Sequence, residues 1–313
     1  MKRTLIAAAT LLAILSVTAS SAFAQFNADR ARNAPAAATR EVEYKDEEGK
    51  VHKRQEQQQI ARDSYGNAAG NQYDLAIDGA FDGQTVAVLH FYTGENFDFS
   101  LPRQALKEKG FSVYRWSNTA PSPKDLAKGL EKACQLWIIS SEQRHLTDEH
   151  IKVIKKFFES GRGVYIWGDN EPYYADANAV AQALFGAEMS GNLMGTVTVG
   201  VRKGNEKVGL IPSHDITTGL EHLYEGITIA TLQPNDALTP LLYGSAGNLV
   251  TAIYDHKGRR AILDGGFTRL YINWDTAGTA RYVKNAASWL VNYERFGDSV
   301  VAGKYRKEIA TKR

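Results

Sequence analysis

Between residues 73 and 296 the apolar positions follow two rhythms in alternation: short unbroken runs, and longer stretches with apolar residues three and four apart. The runs at 85–91 and 164–167 are unbroken and read as buried strands, residues 112–116 and 134–140 read as two more, and their spacing is that of a parallel sheet. Residues 99–110, 123–133 and 146–158 between them read as helices. Pro102 in the first turn and Gly110 at the end bound the first, and Ser122 N-caps the second. Thr147 followed by His150 gives the third a partial cap, and its Ile151, Ile154, Phe157 and Phe158 share one face. The Ala-rich stretch 175–185, closed by Gly186, predicts a fourth helix.

The pattern then changes. Residues 195–201 alternate like a half-exposed strand, and an irregular stretch extends to Pro240. Strands are predicted at 241–243 and 249–254, turning through 245–248, and at 260–264, returning to the sheet. A last helix over 279–293 presents Tyr282, Ala286, Trp289 and Leu290 on one face. Alternating strands and helices predict an α/β fold, a doubly wound, mostly parallel sheet with a β-rich insertion around 192–258. No internal repeat is visible.

The flanks differ in composition. Residues 1–24 combine Lys2 and Arg3, an apolar run from Leu5 to Val17, and small residues ending at Ala24, the form of a cleavable secretory signal. The expectation is export to a bacterial periplasm or beyond, with cleavage after Ala24. The run is short of the roughly 20 residues that span a bilayer, and no later segment qualifies as a membrane span. Residues 25–72 form a polar extension that is either a hairpin turning at Glu48-Gly49 or a solvated lead-in, the composition favouring the latter. The α/β domain is expected over 73–296, with a basic tail at 297–313. Without Lys2 and Arg3 the 37 basic residues become 35, against 35 acidic ones, so nothing favours nucleic acid. The single Cys134 excludes an intrachain disulfide; opening the third strand, it reads as a small buried hydrophobe.

Ligands of open parallel sheets sit beyond the carboxyl ends of the strands. Three polar loops should emerge there: Glu95 and Asn96 after the first strand, Asp169, Asn170 and Glu171 after the fourth, and Asp264, Thr268 and Arg269 after the late strand. Their carboxylates suit sugar hydroxyls or hard cations; the alternative is that Asp169 and Asp264 cap helices. The aromatic-rich stretch 265–282 is either packing or a binding lip. His145 and His150 read as surface or capping residues, lacking a third closely spaced metal ligand. His90 reads as a satisfied core histidine. His214, on a loop with Asp215, is a further candidate, although adjacent Ser213, His214 and Asp215 cannot converge as a triad.

The order of these elements, the helix leading into the strand before Gly168-Asp169-Asn170-Glu171-Pro172, and the later Ser213-His214-Asp215-Ile216-Thr217-Thr218-Gly219-Leu220 resemble the class I glutamine amidotransferase-like superfamily over about residues 84–293. The resemblance implies a flavodoxin-like fold. The family's elbow reads Gly-x-Cys-x-Gly; here Asn170 stands at the nucleophile position, Pro172 replaces the second Gly, and no His-x-Glu pair follows near 255–275. Glutamine hydrolysis is therefore not expected. The leading expectation is an exported, catalytically degenerate domain that binds a small molecule, glycan or protein partner at the carboxyl edge of the sheet, with no cofactor and no resident metal. The alternatives are a metal-assisted hydrolase in the same crevice and a cell-envelope assembly component, a role that similar domains of gliding-motility and ciliary transport proteins imply.

Overall fold

The computed structural model describes residues 26–27, 39–57, 60–274 and 277–300. The leader expected at 1–24 and the tail beyond 300 lie outside them. β1 (Thr39–Lys45) and β2 (Val51–Gln57) pair antiparallel, so the hairpin alternative for this segment is the one formed. Its turn forms where Asp46 Oδ1 accepts the backbone N–H groups of Glu48 and Lys50, and Gly49 takes a φ of +82°.

The core follows as β3 (Thr85–His90), α1 (Ser100–Glu108), β4 (Ser112–Ser117), α2 (Pro123–Leu130), β5 (Gln135–Ile139), α3 (Asp148–Glu159), β6 (Gly163–Trp167) and α4 (Ala175–Phe185). β7 (Met189–Met194), β8 (Thr198–Gly200), β9 (Gly209–Leu210), β10 (His222–Tyr224) and β11 (Thr228–Leu232) come next. The chain returns through β12 (Thr239–Tyr243), β13 (Leu249–His256) and β14 (Arg259–Asp264) to α5 (Thr279–Leu290) and α6 (Tyr293–Phe296).

The main sheet has the order β4-β3-β5-β6-β14-β13-β12-β9. The first five strands are parallel, in the 2-1-3-4-5 arrangement of a flavodoxin-like fold. β13, β12 and β9 extend it antiparallel.

Every residue of β5 and β6 is buried, while β4, at the sheet edge, is exposed or half-exposed throughout. Alternate side chains feed two cores. Val86, Val88, Trp137, Tyr165, Trp167 and Ile262 meet Leu106 of α1 and Tyr282, Val283 and Leu290 of α5. Ala87, Leu89, Leu136, Ile138, Val164 and Leu263 meet Leu126, Ile154, Phe158 and Val180 of α2, α3 and α4 on the other face. At about 1.5–3 kcal/mol per fully buried large apolar side chain, these cores outweigh any single hydrogen bond. Gly163 marks how closely α5 approaches the sheet, because a Cβ there would lie 2.4 Å from the Leu290 carbonyl oxygen.

The capping signals are realised. Ser122 Oγ accepts from Asp125 N at 3.1 Å, and His150 Nδ1 lies 3.1 Å from Thr147 N in a reciprocal box that opens α3. The strand expected over 195–201 is shortened to β8, and β7 lies before it. β7 pairs with β11 and β8 with β10, because Gly195 and Thr196 turn to bond the carbonyls of Ile227 and Gly226, and a Cβ at Gly195 would meet the Gly226 oxygen at 2.5 Å. The expected irregular stretch before Pro240 carries three short strands, and within the β-rich region around 192–258 strands β9, β12 and β13 extend the main sheet. Among the described residues no helix is long and apolar enough to cross a membrane.

Candidate functional site

Chain direction diverges between β3 and β5. From β3 the next parallel strand is laid on one side, from β5 on the other, and the loops that leave their carboxyl ends part to form a crevice. A cleft of about 460 Å3 occupies this point, lined by Phe91, Tyr92, Glu95, Ser141, Gln143 and His145, among others, with Tyr173 from the turn after β6 closing one side. Its volume lies in the range of small-molecule sites.

The residues expected from sequence divide between this cleft and the interior. Glu95 and Asn96 are exposed on the β3 loop, both in the left-handed region at φ 51° and 63°, where non-glycine side chains are strained. Tyr271, stacked on Phe97 with ring centroids 4.4 Å apart, brings its hydroxyl 3.5 Å from Glu95 Oε2. Asp169 is buried: its carboxylate accepts from Asn170 N at 2.9 Å and Thr268 N at 3.2 Å, and burial pushes its pKa well above the usual carboxylate range. Asn170, at the elbow, donates to the Glu171 carbonyl at 2.8 Å and accepts from Thr228 Oγ1 at 2.6 Å, so its side chain pins the turn. Glu171 is exposed.

Asp264 and Arg269 lie beneath the surface. Asp264 Oδ2 accepts from Arg269 Nη1 at 3.0 Å, Tyr282 Oη at 2.9 Å and Thr251 Oγ1 at 3.0 Å, while Arg269 Nη2 donates to the Glu225 carbonyl at 2.8 Å. Burial pushes Asp264 up against the pull of Arg269. Thr268 Oγ1 accepts from Ile227 N at 2.9 Å. This cluster ties the loop after β14 to α5 and to the turn after β10, and neither Asp264 nor Arg269 offers side-chain surface to a ligand. The stretch 265–274 is mainly packing, with Phe267, Leu270 and Trp274 buried and Tyr271 half-exposed at the cleft side.

His214 sits elsewhere. Its Nδ1 accepts from Ile216 N at 3.1 Å and its ring packs on Trp289, whose carbonyl accepts from Arg260 at the start of β14. That is the amino end of the strand, opposite the cleft. Cys134 is at the amino end of β5, where burial pushes its thiol up to about 12. His90 is a core residue, but only half satisfied: Nδ1 lies 2.8 Å from Arg115 Nη1, and Nε2 has no hydrogen-bond partner among the described residues. Burial, then Arg115, pushes its pKa down to about 4, so its ring is neutral.

The β5 loop was missed by sequence reasoning, although its polar run Ser140-Ser141-Glu142-Gln143 follows a buried strand and faces the divergence point. Ser140 Oγ accepts from the N–H groups of Asp176 and Ala177, supplying α4 with the cap that Tyr174 does not give. Asp176 is wholly buried at that helix start and accepts from His145 N at 2.9 Å and Leu146 N at 2.8 Å. Its Oδ2 also lies 3.1 Å from His145 Nδ1. Burial raises the Asp176 pKa, and these donors oppose the rise. The His145 ring lies flat on Phe91, centroids 4.5 Å apart and planes 7° from parallel. Among the described residues no cluster of three or more His, Cys, Asp and Glu is arranged to hold a metal ion.

No protein-family model and no curated protein matches the chain. Among solved structures it is similar to an exo-beta-1,4-mannosidase, Op5Man5, from Opitutaceae bacterium strain TAV5, at 14% identity and TM-score 0.37 over 68% of this chain and 36% of that one. It is also similar to the carbohydrate deacetylase Agd3, at 14% identity and TM-score 0.41 over 66% of this chain and 32% of that one. A ThuA-like protein from Parabacteroides merdae gives 11% identity and TM-score 0.42, covering 67% of this chain and 90% of its own. The chain thus spans about a third of the length of the first two, at 36% and 32%.

Proposed function

We propose that the chain binds a small polyhydroxylated ligand, a saccharide or glycan end, in the cleft between the β3 and β5 loops. The observation that carries this is the lining itself: the aromatic rings of Tyr92 and Tyr173 beside Glu95, Glu142 and Gln143. Aromatic faces take the C–H side of a sugar ring, and carboxylate and amide oxygens accept its hydroxyls. Glutamine hydrolysis has no support, since Asn170 replaces the family's nucleophile and its side chain is committed to the turn.

Titration calorimetry of the purified protein with a panel of mono- and oligosaccharides tests the proposal. Saturable binding is expected, weakened about tenfold, or about 1.4 kcal/mol, by Glu95→Gln and by Tyr173→Ala. An absence of binding across the panel, or affinity unchanged in both variants, rejects it. The leader-like residues 1–24 suit export of such a protein, and the mass of the protein recovered from the periplasm tests cleavage after Ala24.

A further inference from the structure

We infer that His145, oriented by Asp176, is a general base in this cleft, and that the group it acts on is an O-acyl ester carried by the bound polyhydroxylated ligand. This inference rests on the cleft being the ligand site. Three observations lead to it. The buried Asp176 carboxylate lies 3.1 Å from Nδ1 and so holds the proton on that nitrogen, leaving Nε2 as the basic atom. Phe91 fixes the plane of the ring by stacking. The imidazole lines the cleft and Nε2 has no hydrogen-bond partner among the described residues, so its lone pair is free for a water or a ligand hydroxyl. Two backbone N–H groups already explain Asp176 as a loop anchor. They do not explain a flat, carboxylate-paired imidazole at the rim.

The identity of the reaction follows from what surrounds the base. Ser141 Oγ is 3.5 Å from Nδ1, the nitrogen already committed to Asp176, so His145 does not activate Ser141 in this arrangement. Glu95 and Glu142 lie in solvent, without the apolar enclosure a glycosidic acid uses. A single base without a protein nucleophile suits direct attack by water on a planar carbonyl. Nε2 takes one proton from water as the water oxygen bonds to the ester carbonyl carbon. The carbon–alkoxide bond then breaks, and the imidazolium returns its proton to the leaving alkoxide, giving a carboxylic acid and the free sugar hydroxyl. No oxidant, reductant or further reactant is needed.

Acetate release from peracetylated glucose and from p-nitrophenyl acetate by the full chain tests this, comparing the wild type with His145→Gln and Asp176→Asn. Expected are a loss of at least about 100-fold in kcat for His145→Gln with KM little changed, and a similar split for Asp176→Asn, whose amide would donate to Nδ1 and shift the ring proton to Nε2. Because Asp176→Asn can disturb the loop, 15N spectra of the wild-type imidazole give a second reading, with the proton expected on Nδ1. Hydrolysis absent in the wild type, or equal in His145→Gln, overturns the inference, as does an acyl group trapped on Ser141 by mass spectrometry. Saccharide binding that persists without ester turnover overturns this inference alone, whereas loss of all binding removes the cleft reading beneath it.

Discussion

Arg269 Nη1 lies 3.0 Å from Asp264 Oδ2, and neither side chain exposes any surface. Tyr282, Thr251 and the N–H of Gly266 complete the coordination of the carboxylate. The group joins β13, β14 and α5, so removing one charge strands the other in the core. Arg269→Met is expected to lower unfolding free energy by about 3–5 kcal/mol, measured by urea denaturation. A loss below about 1 kcal/mol would mean that the site relaxes or admits water.

Asp74 plays a similar part on the same amino-terminal turns of α5, where Arg281 and Lys284 flank Tyr282. It is wholly buried and contacts Lys109 at 2.9 Å, Lys284 at 2.8 Å and Arg281 at 2.8 Å. The three cations come from α5 and the turn after α1, so this carboxylate fastens the chain preceding β3 to the domain. Asp74→Asn should cost about 3 kcal/mol. Limited proteolysis should then cut the segment 60–72 faster than the wild type; equal cutting rates would show that other contacts hold it.

His90 makes stability depend on pH. Its folded pKa of about 4 lies below the unfolded value near 6.5, so the unfolded state binds more protons between these values. Stability from this group is therefore full above about pH 6.5 and falls as pH is lowered, by up to about 3 kcal/mol near pH 4. His90→Gln should flatten this part of the profile. Parallel profiles of Tm against pH for the two proteins would rule the residue out as the source.

Asp169 acts in the opposite sense. Its folded pKa is raised well above the usual value, so the folded state holds the extra proton once pH passes the unfolded pKa near 4. The contribution of Asp169 thus falls as pH rises above about 4. The destabilisation caused by Asp169→Asn is expected to be greatest at acid pH and to shrink toward neutrality. Chemical denaturation of both proteins at pH 4.5 and 7 decides the sign, and a gap that widens with pH contradicts it.

Local physics made much of the fold legible. A strand buried on both faces is apolar along most of its length, and β3, β5 and β6 are legible that way despite His90 and Gln135. The caps at Ser122 and at Thr147 with His150 involve residues three apart, so their hydrogen bonds follow from sequence spacing alone. The break between β7 and β8 was hidden because it depends on Gly226 and Ile227, which approach Gly195 only when the chain returns.

The sequence by itself determined the alternation of strand and helix and the caps that open α2 and α3, since each depends on neighbours along the chain, whereas the helix expected over 279–293 ends at Leu290 and a separate turn, α6, follows. Only the tertiary structure decided which polar residues face a ligand. Asp264 and Arg269 read as loop residues, yet Tyr165 and Tyr282, 117 positions apart, enclose them in the core. His145 and Asp176 stand 31 positions apart, and they meet because α3 and β6 carry the chain up one strand of the sheet and return α4 to the end of β5. Burial and convergence are properties of strand order, and strand order is fixed by which apolar faces can pack together, not by any residue's immediate neighbours.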